Sequence, residues 1–178
     1  MRFWTGKGDD GTTGLLYGGR VPKDAPAPVA YGAVDEAQAV LGLARAELHE
    51  GDELERLLVG VERDLWVLMA ELATDPAHHD RLTPGESRVT DEMVAALEGH
   101  IDGFSERFDP PTEFVVPGQN RVAALLDLGR TVVRRAERDA LRAAADGSQV
   151  VPYLNRLSDL LWTLARWHEG ESLITKEQ

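Results

Sequence analysis

The chain has 178 residues, 43% of them apolar and 28% charged, which fits one domain folded around a core and excludes a disordered chain. Its 31 acidic and 19 basic residues give a net charge of −12, which argues against nucleic acid as a partner, because that affinity rests on neutralising phosphates. Cysteine is absent, which removes disulfides, thiolate nucleophiles, Cys-ligated zinc and iron–sulfur clusters and fits a reducing cytoplasm.

Residues 1–29 form an arm rich in glycine, with Pro22, Pro26 and Pro28, and read as ordered loop or tail rather than helix. Met1-Arg2-Phe3-Trp4 runs directly into it without the apolar stretch of a secretory signal. From Ala30 onward the pattern is helical, so residues 30–178 read as a bundle and the whole chain as a single domain. A first helix is predicted from about Ala33 to Glu50. The second is the clearest: Leu54, Leu57, Leu58, Val61, Leu65, Leu68, Met69 and Leu72 recur at helical spacing and stop before Pro76. A polar loop, 74–87, carries His78-His79, which read as solvated because a metal site needs three or four convergent ligands. A third helix runs from about Val89 to Phe108, ended by Asp109-Pro110-Pro111. A short extended stretch, Glu113–Val116, follows. A fourth helix spans about Gln119–Ala145 and a fifth about Val151–His168, with Gly170 as its stop. No strand-like alternation of any length is evident, and no apolar run reaches the ~18 residues of a membrane span, so no membrane association is expected. The fold class is all-α: a five-helix bundle with a Gly-rich N-terminal arm.

Two segments carry residue types suited to polyphosphate. In the arm, Thr5-Gly6-Lys7-Gly8-Asp9-Asp10-Gly11-Thr12-Thr13-Gly14 brings glycine amides and threonine hydroxyls close together, with Lys7, Arg20 and Lys23 adding positive charge. Asp9 or Asp10 is suited to a Mg²⁺ shared with phosphates. The segment is neither a Walker A loop nor GxGxxG, and a flexible polar arm is the simpler account from composition alone. In the fourth helix, Arg130, Arg134 and Arg138 fall on one stripe, with Arg135 beside it. Asp127 and Glu137 are available to neutralise the stripe as a salt-bridged face. The competing reading is an arginine cluster for phosphate, which guanidinium binds in a bidentate manner. Asp35 and Glu36, near the start of the first helix, suit its dipole or pair with an arginine of the fourth. No Ser-His-Asp arrangement is visible.

Taken together, TGKGDDGTTGL (5–15), RVPKD (20–24), AYGAVDE (30–36), FVVPGQN (114–120), RTVVRRAER (130–138) and YLNRLSDLLW (153–162) resemble the ATP:cob(I)alamin adenosyltransferases of the propanediol-utilisation type, in order and across nearly the whole chain. The resemblance implies a homotrimer of five-helix bundles with an active site at each subunit interface. It implies transfer of the 5′-deoxyadenosyl group of ATP, with Mg²⁺, to the cobalt of cob(I)alamin. By resemblance, Thr5, Gly6, Lys7, Gly8, Thr13, Gly14 and Lys23 contact ATP, as do Arg134, Arg135, Ala136, Glu137 and Arg138 of the RRxER segment and Asn155. Asp35 pairs with Arg130 across the site, and these two with Arg134 form the catalytic set. Phe114 closes the lower face of the corrin, with Trp162 where a second aromatic, commonly Phe, stands. No protein metal site is implied.

The chain departs from the family pattern at Ala25–Val29, where Arg and Glu are common, and at Asp127, where His is common. The departure at 25–29 is the main feature favouring a runner-up, a module that holds and delivers adenosylcobalamin with little turnover. A B12-dependent enzyme and a reductase are the further partners the resemblance implies.

Overall fold

The computed structural model describes residues 3–175; Met1, Arg2 and residues 176–178, the outer ends of the arm and of the expected bundle, lie outside the described residues. Five α-helices carry the fold: α1 (Pro26–Arg45), α2 (Glu53–Leu72), α3 (Asp91–Ser105), α4 (Arg121–Ala140) and α5 (Val150–Glu169). They pack in the spatial order α2, α1, α4, α5, α3, so that α4 lies between α1 and α5. The all-α five-helix expectation holds.

Helices α1, α3 and α4 each begin for a local reason. Thr90 caps α3 by accepting from the Met93 amide at 3.4 Å, and Asn120 caps α4 by accepting from Ala123 at 2.9 Å. The Asn120 side chain also donates to the carbonyl of His168 at 3.1 Å, tying the start of α4 to the end of α5. Helix α1 starts at Pro26, earlier than the expected Ala33, and ends at Arg45 rather than Glu50. Proline has no amide to lose in a first turn and its fixed φ suits one, so Pro26 opens the helix instead of excluding it. The last residues of the expected arm are therefore helical. Helices α3 and α4 stop a few residues short of expectation, at Ser105 and Ala140.

A second difference is a small antiparallel hairpin in the arm, β1 (Thr12–Gly14) on β2 (Arg20–Pro22), with Thr13 opposite Val21. Strands of three residues are too short to show as alternation. The loop after α2 contains a 3-10 turn, Pro76–Arg81, in which His79 Nε2 lies 3.1 Å from the Thr74 carbonyl, so that ring is partly engaged rather than fully solvated.

The core is aliphatic. Leu126, Val133 and Ala136 of α4 are buried, as are Leu154, Leu157, Leu161 and Leu164 of α5. Gly129 sets the spacing of the central helix. A Cβ there would lie 3.1 Å from Leu41 Cδ2 of α1 and 3.6 Å from Leu161 Cδ1 of α5. Among the described residues no helix is long and apolar enough to cross a membrane.

Candidate active site

The arm is knitted together by one side chain. Arg20 Nη2 donates to the Lys7 carbonyl at 2.6 Å and the Thr12 carbonyl at 3.2 Å, and Nε donates to Thr12 Oγ1 at 3.0 Å. Asp10 Oδ1 accepts from the Thr12 amide at 2.9 Å and the Thr12 hydroxyl at 2.7 Å. Those two bonds, then the nearby Arg20, hold the Asp10 carboxyl below its ordinary value. Asp10 is thus committed to the arm, while Asp9 and Asp24 are exposed arm carboxylates. The glycines serve this shape. Gly11 has φ +80°, and its carbonyl accepts from the Lys23 amide at 2.9 Å. A Cβ on Gly8 would lie 3.1 Å from Lys23 Nζ, so glycine lets that ammonium lie against the loop. Thr5 to Gly8, Thr13, Gly14 and Lys23 therefore belong to one folded unit.

The arm leans on the end of α2. The Leu16 amide donates to the Ala73 carbonyl at 2.8 Å, and the Arg81 guanidinium lies 4.3 Å from the centre of the Tyr17 ring. The hydrogen bonds and ion pairs of residues 5–23 run within the arm, to Ala73 and to Arg81, and none of them reaches α4.

On α4 the arginines divide. Arg135 pairs with Glu36 of α1, and that hydrogen bond raises the Arg135 pKa further. Arg130 Nε lies 3.4 Å from Asp127 Oδ1, not against Asp35; among the described residues Asp35 makes no ion pair, so the expected pairing is not formed within one chain. Glu137 does not neutralise the stripe, because its carboxylate accepts from Asn155 Nδ2 at 3.0 Å, bringing the RRxER segment and Asn155 together. Arg134 and Arg138 are exposed, and among the described residues neither has a carboxylate partner; Arg138 instead donates to the Arg134 carbonyl at 2.9 Å. Two guanidiniums are thus presented to solvent beside a buried Ala136.

Phe114 and Trp162, far apart in sequence, line one pocket of about 340 Å³ with Thr112, Glu113 and Val115. Phe114 is 85% exposed. Covering it would contribute roughly 1.5–3 kcal/mol, so the pocket is suited to a large apolar-faced ligand. The expected extended stretch around it is held from the far end of the chain: the Val116 amide donates to Leu173 at 2.7 Å and the Thr175 amide to Phe114 at 2.8 Å.

One feature of this region escaped the sequence reading. Arg166 of α5 is only 2% exposed, and its Nη2 donates to Asp127 Oδ2 at 2.6 Å and Glu169 Oε2 at 3.1 Å. Asp127 is therefore a bridge between Arg166 and Arg130 rather than a surface counter-charge. The signal was available: Asp127 and Arg166 both sit on the apolar faces of their helices, where an ion needs a partner.

Arginines of α4 without a carboxylate partner among the described residues, backbone donors in a folded arm and a pocket lined by Phe114 and Trp162 suit a nucleotide-using group transferase. The sequence model of the cobalamin adenosyltransferase family matches residues 3–168, and the chain belongs to that family. It is 40% identical over 170 residues to a corrinoid adenosyltransferase of Mycobacterium tuberculosis, covering 93% of this chain and 87% of the relative. It is 36% identical over 176 residues to the corrinoid adenosyltransferase PduO of Salmonella typhimurium, covering 97% of this chain and 51% of that one, so it spans about half of that relative. A phenylalanine-to-histidine variant of the PduO-type ATP:corrinoid adenosyltransferase from Lactobacillus reuteri, solved with cobalamin and ATP, superposes with a TM-score of 0.88 at 26% identity, covering 99% of this chain and 97% of that one.

Proposed function

We infer that this chain is an ATP:corrinoid adenosyltransferase. The cobalt of the substrate cob(I)alamin supplies an electron pair to C5′ of ATP, and that pair becomes the Co–C bond; the C5′–O bond breaks and triphosphate leaves with the bonding pair of C5′–O. No protein nucleophile is required. The protein's work is to bring cobalt and C5′ into line and to stabilise charge on the leaving triphosphate. Arg134 and Arg138 suit the second task, because their guanidiniums are exposed on one stripe and have no carboxylate partner among the described residues. Phe114 and Trp162 suit the first, as an apolar wall under the corrin that excludes an axial base. Mg²⁺ enters with the nucleotide, and its hard-oxygen preference fits phosphate oxygens with Asp9 as an exposed carboxylate of the glycine-rich loop; it supplies neutralisation of phosphate charge.

The bonding of residues 5–23 within the arm and to the end of α2 rather than to α4 supports an active site shared between subunits, the arm of one facing the arginine stripe of the next in a homotrimer. On that reading Asp35 meets Arg130 across the interface. Mixing Lys23→Ala subunits with Arg134→Ala subunits tests this: mixed assemblies regain activity at sites built from two intact halves, whereas sites within one chain give none. The cytoplasm is the compartment expected, with a reductase upstream and a B12-dependent enzyme downstream. The observation that carries the function is the convergence of Phe114 and Trp162 on one pocket in a chain of this family. Anaerobic mixing with cob(I)alamin and Mg-ATP, followed by absorbance of the Co–C bond and assay of triphosphate, tests it. Bound corrinoid without Co–C formation would indicate the delivery module instead.

A further inference from the structure

Arg166 is a buried cation in an aliphatic seam. Its partners are buried too: the Asp127 side chain is 6% exposed and that of Glu169 is fully enclosed. Arg166 Nε lies 2.7 Å from Glu169 Oε1 yet lacks hydrogen-bond geometry, and it is the one buried side-chain polar atom among the described residues without such a bond. A buried ion cluster with an unmade bond is a poor way to stabilise a seam, since apolar residues of like volume often do as well or better. Its connections suggest another reason for it.

Arg166 stands one turn after Trp162, and its guanidinium carbon is 5.9 Å from the Trp162 ring centre. Asp127 gives one oxygen to Arg166 and the other to Arg130, at the base of the arginine stripe. On the other side, Glu169 Oε1 accepts from Ser172 Oγ at 2.5 Å, at the start of the segment whose backbone pairs with residues 114–116 and so holds Phe114. Both aromatics of that pocket and the first arginine of the stripe are thereby referred to one buried guanidinium.

We propose that Arg166, with Asp127 and Glu169, is a positioning centre that fixes the Phe114–Trp162 pocket and the arginine stripe relative to each other. The proposal rests on the assignment of those two surfaces to corrinoid and nucleotide. Four groups compose it, Arg130, Asp127, Arg166 and Glu169, and their formal charges cancel. Removing one buried member strands a buried charge, so the decisive variant removes the three buried members together, Asp127→Asn, Arg166→Met and Glu169→Gln, and leaves Arg130, the most exposed of the four, in reach of water.

The test measures cob(II)alamin binding by absorbance and Mg-ATP binding by calorimetry, separately, in the wild type, in the triple variant and in Asp127→Asn. Leu58→Ala, a core truncation in α2, serves as a destabilised control. The triple variant is expected to melt cooperatively within a few degrees of the wild type, while both dissociation constants rise by about tenfold, within the span reported for residues that couple two sites without touching either ligand. Leu58→Ala is expected to melt lower with both constants unchanged. A folded triple variant with both constants within about twofold of wild type overturns the proposal, as does an equal loss in Leu58→Ala. Should the triple variant fail to fold, Asp127→Asn decides by the same two constants. A wild-type protein that binds neither compound overturns the functional reading and the positioning centre with it, whereas normal wild-type binding and unchanged variants sink the positioning centre alone.

Discussion

The arm and the α4–α5 seam both contain arginine, aspartate and hydroxyl groups in hydrogen-bonded arrays, yet the two are built on opposite terms. In the arm the array lies at the surface. Arg20, Asp10 and Thr12 satisfy one another in reach of water, where each bond contributes little to global stability. In the seam, Asp127 and Arg166 lie inside an aliphatic layer and have only each other and their immediate neighbours. The difference separates shape from strength. The arm's bonds choose a loop conformation; the seam's apolar contacts hold the protein together, and its ions set where helices stand. Arg134 and Arg138 belong to neither pattern: exposed on one stripe of α4, without a carboxylate partner among the described residues, they are placed together for a ligand.

The sharpest way to break this comparison is to attack each region and read stability and activity apart. Leu161→Ala should cost about 2–5 kcal/mol of unfolding free energy, the range for emptying a core leucine, measured by denaturant titration. Arg134→Ala should leave melting nearly unchanged and lower the transfer rate by two orders of magnitude or more at saturating ATP, since one electrostatic stabiliser of a leaving group is worth about 2–4 kcal/mol. An unchanged rate would return Arg134 to the solvated surface and weaken the whole RRxER assignment. Arg20→Ala should unfold as the wild type does but raise the KM for ATP roughly tenfold, equivalent to ~1.4 kcal/mol, as the arm loses its preset shape. A Tm shift without a KM change would reverse the assignment of shape to the arm.

The smallest effect is a matter of pH. Burial lowers the His168 pKa from its ordinary value near 6.5. The folded state therefore holds fewer protons than the unfolded state in the window just below that value. Stability should be lost as pH falls through it, and His168→Gln should flatten that part of the profile in thermal melts taken between about pH 7 and 5.

Much of this was legible in the sequence. Leu54, Leu58, Val61, Leu65 and Leu68 gave α2 its face, and the buried residues of α4 and α5 followed the same period. Pro26 and Pro28 misled, because a proline reads as a breaker until it is known to stand in a first turn. The arm's hairpin was invisible, since its register depends on Arg20 reaching back to Lys7 and Thr12. Phe114 and Trp162 were singled out by family likeness; their meeting depends on a tertiary pairing with residues 173–175 that no local pattern encodes. Arg166 escaped because a cation near a helix C-terminus has an ordinary explanation in the dipole.

The position of α4 between α1 and α5 also bears on how the chain reaches its fold. Helices α4 and α5 are neighbours along the chain and can dock after closing a short connection, but α1 meets α4 only after the whole of α2 and α3 has been bypassed. Closing that larger loop costs entropy before any contact returns it, with the cost growing as the logarithm of loop length. Folding speed should therefore fall below that of an up-and-down bundle of the same size, in which each helix packs on the next. The late event is the docking of α1 onto α4, where Leu41 must settle over the bare backbone of Gly129.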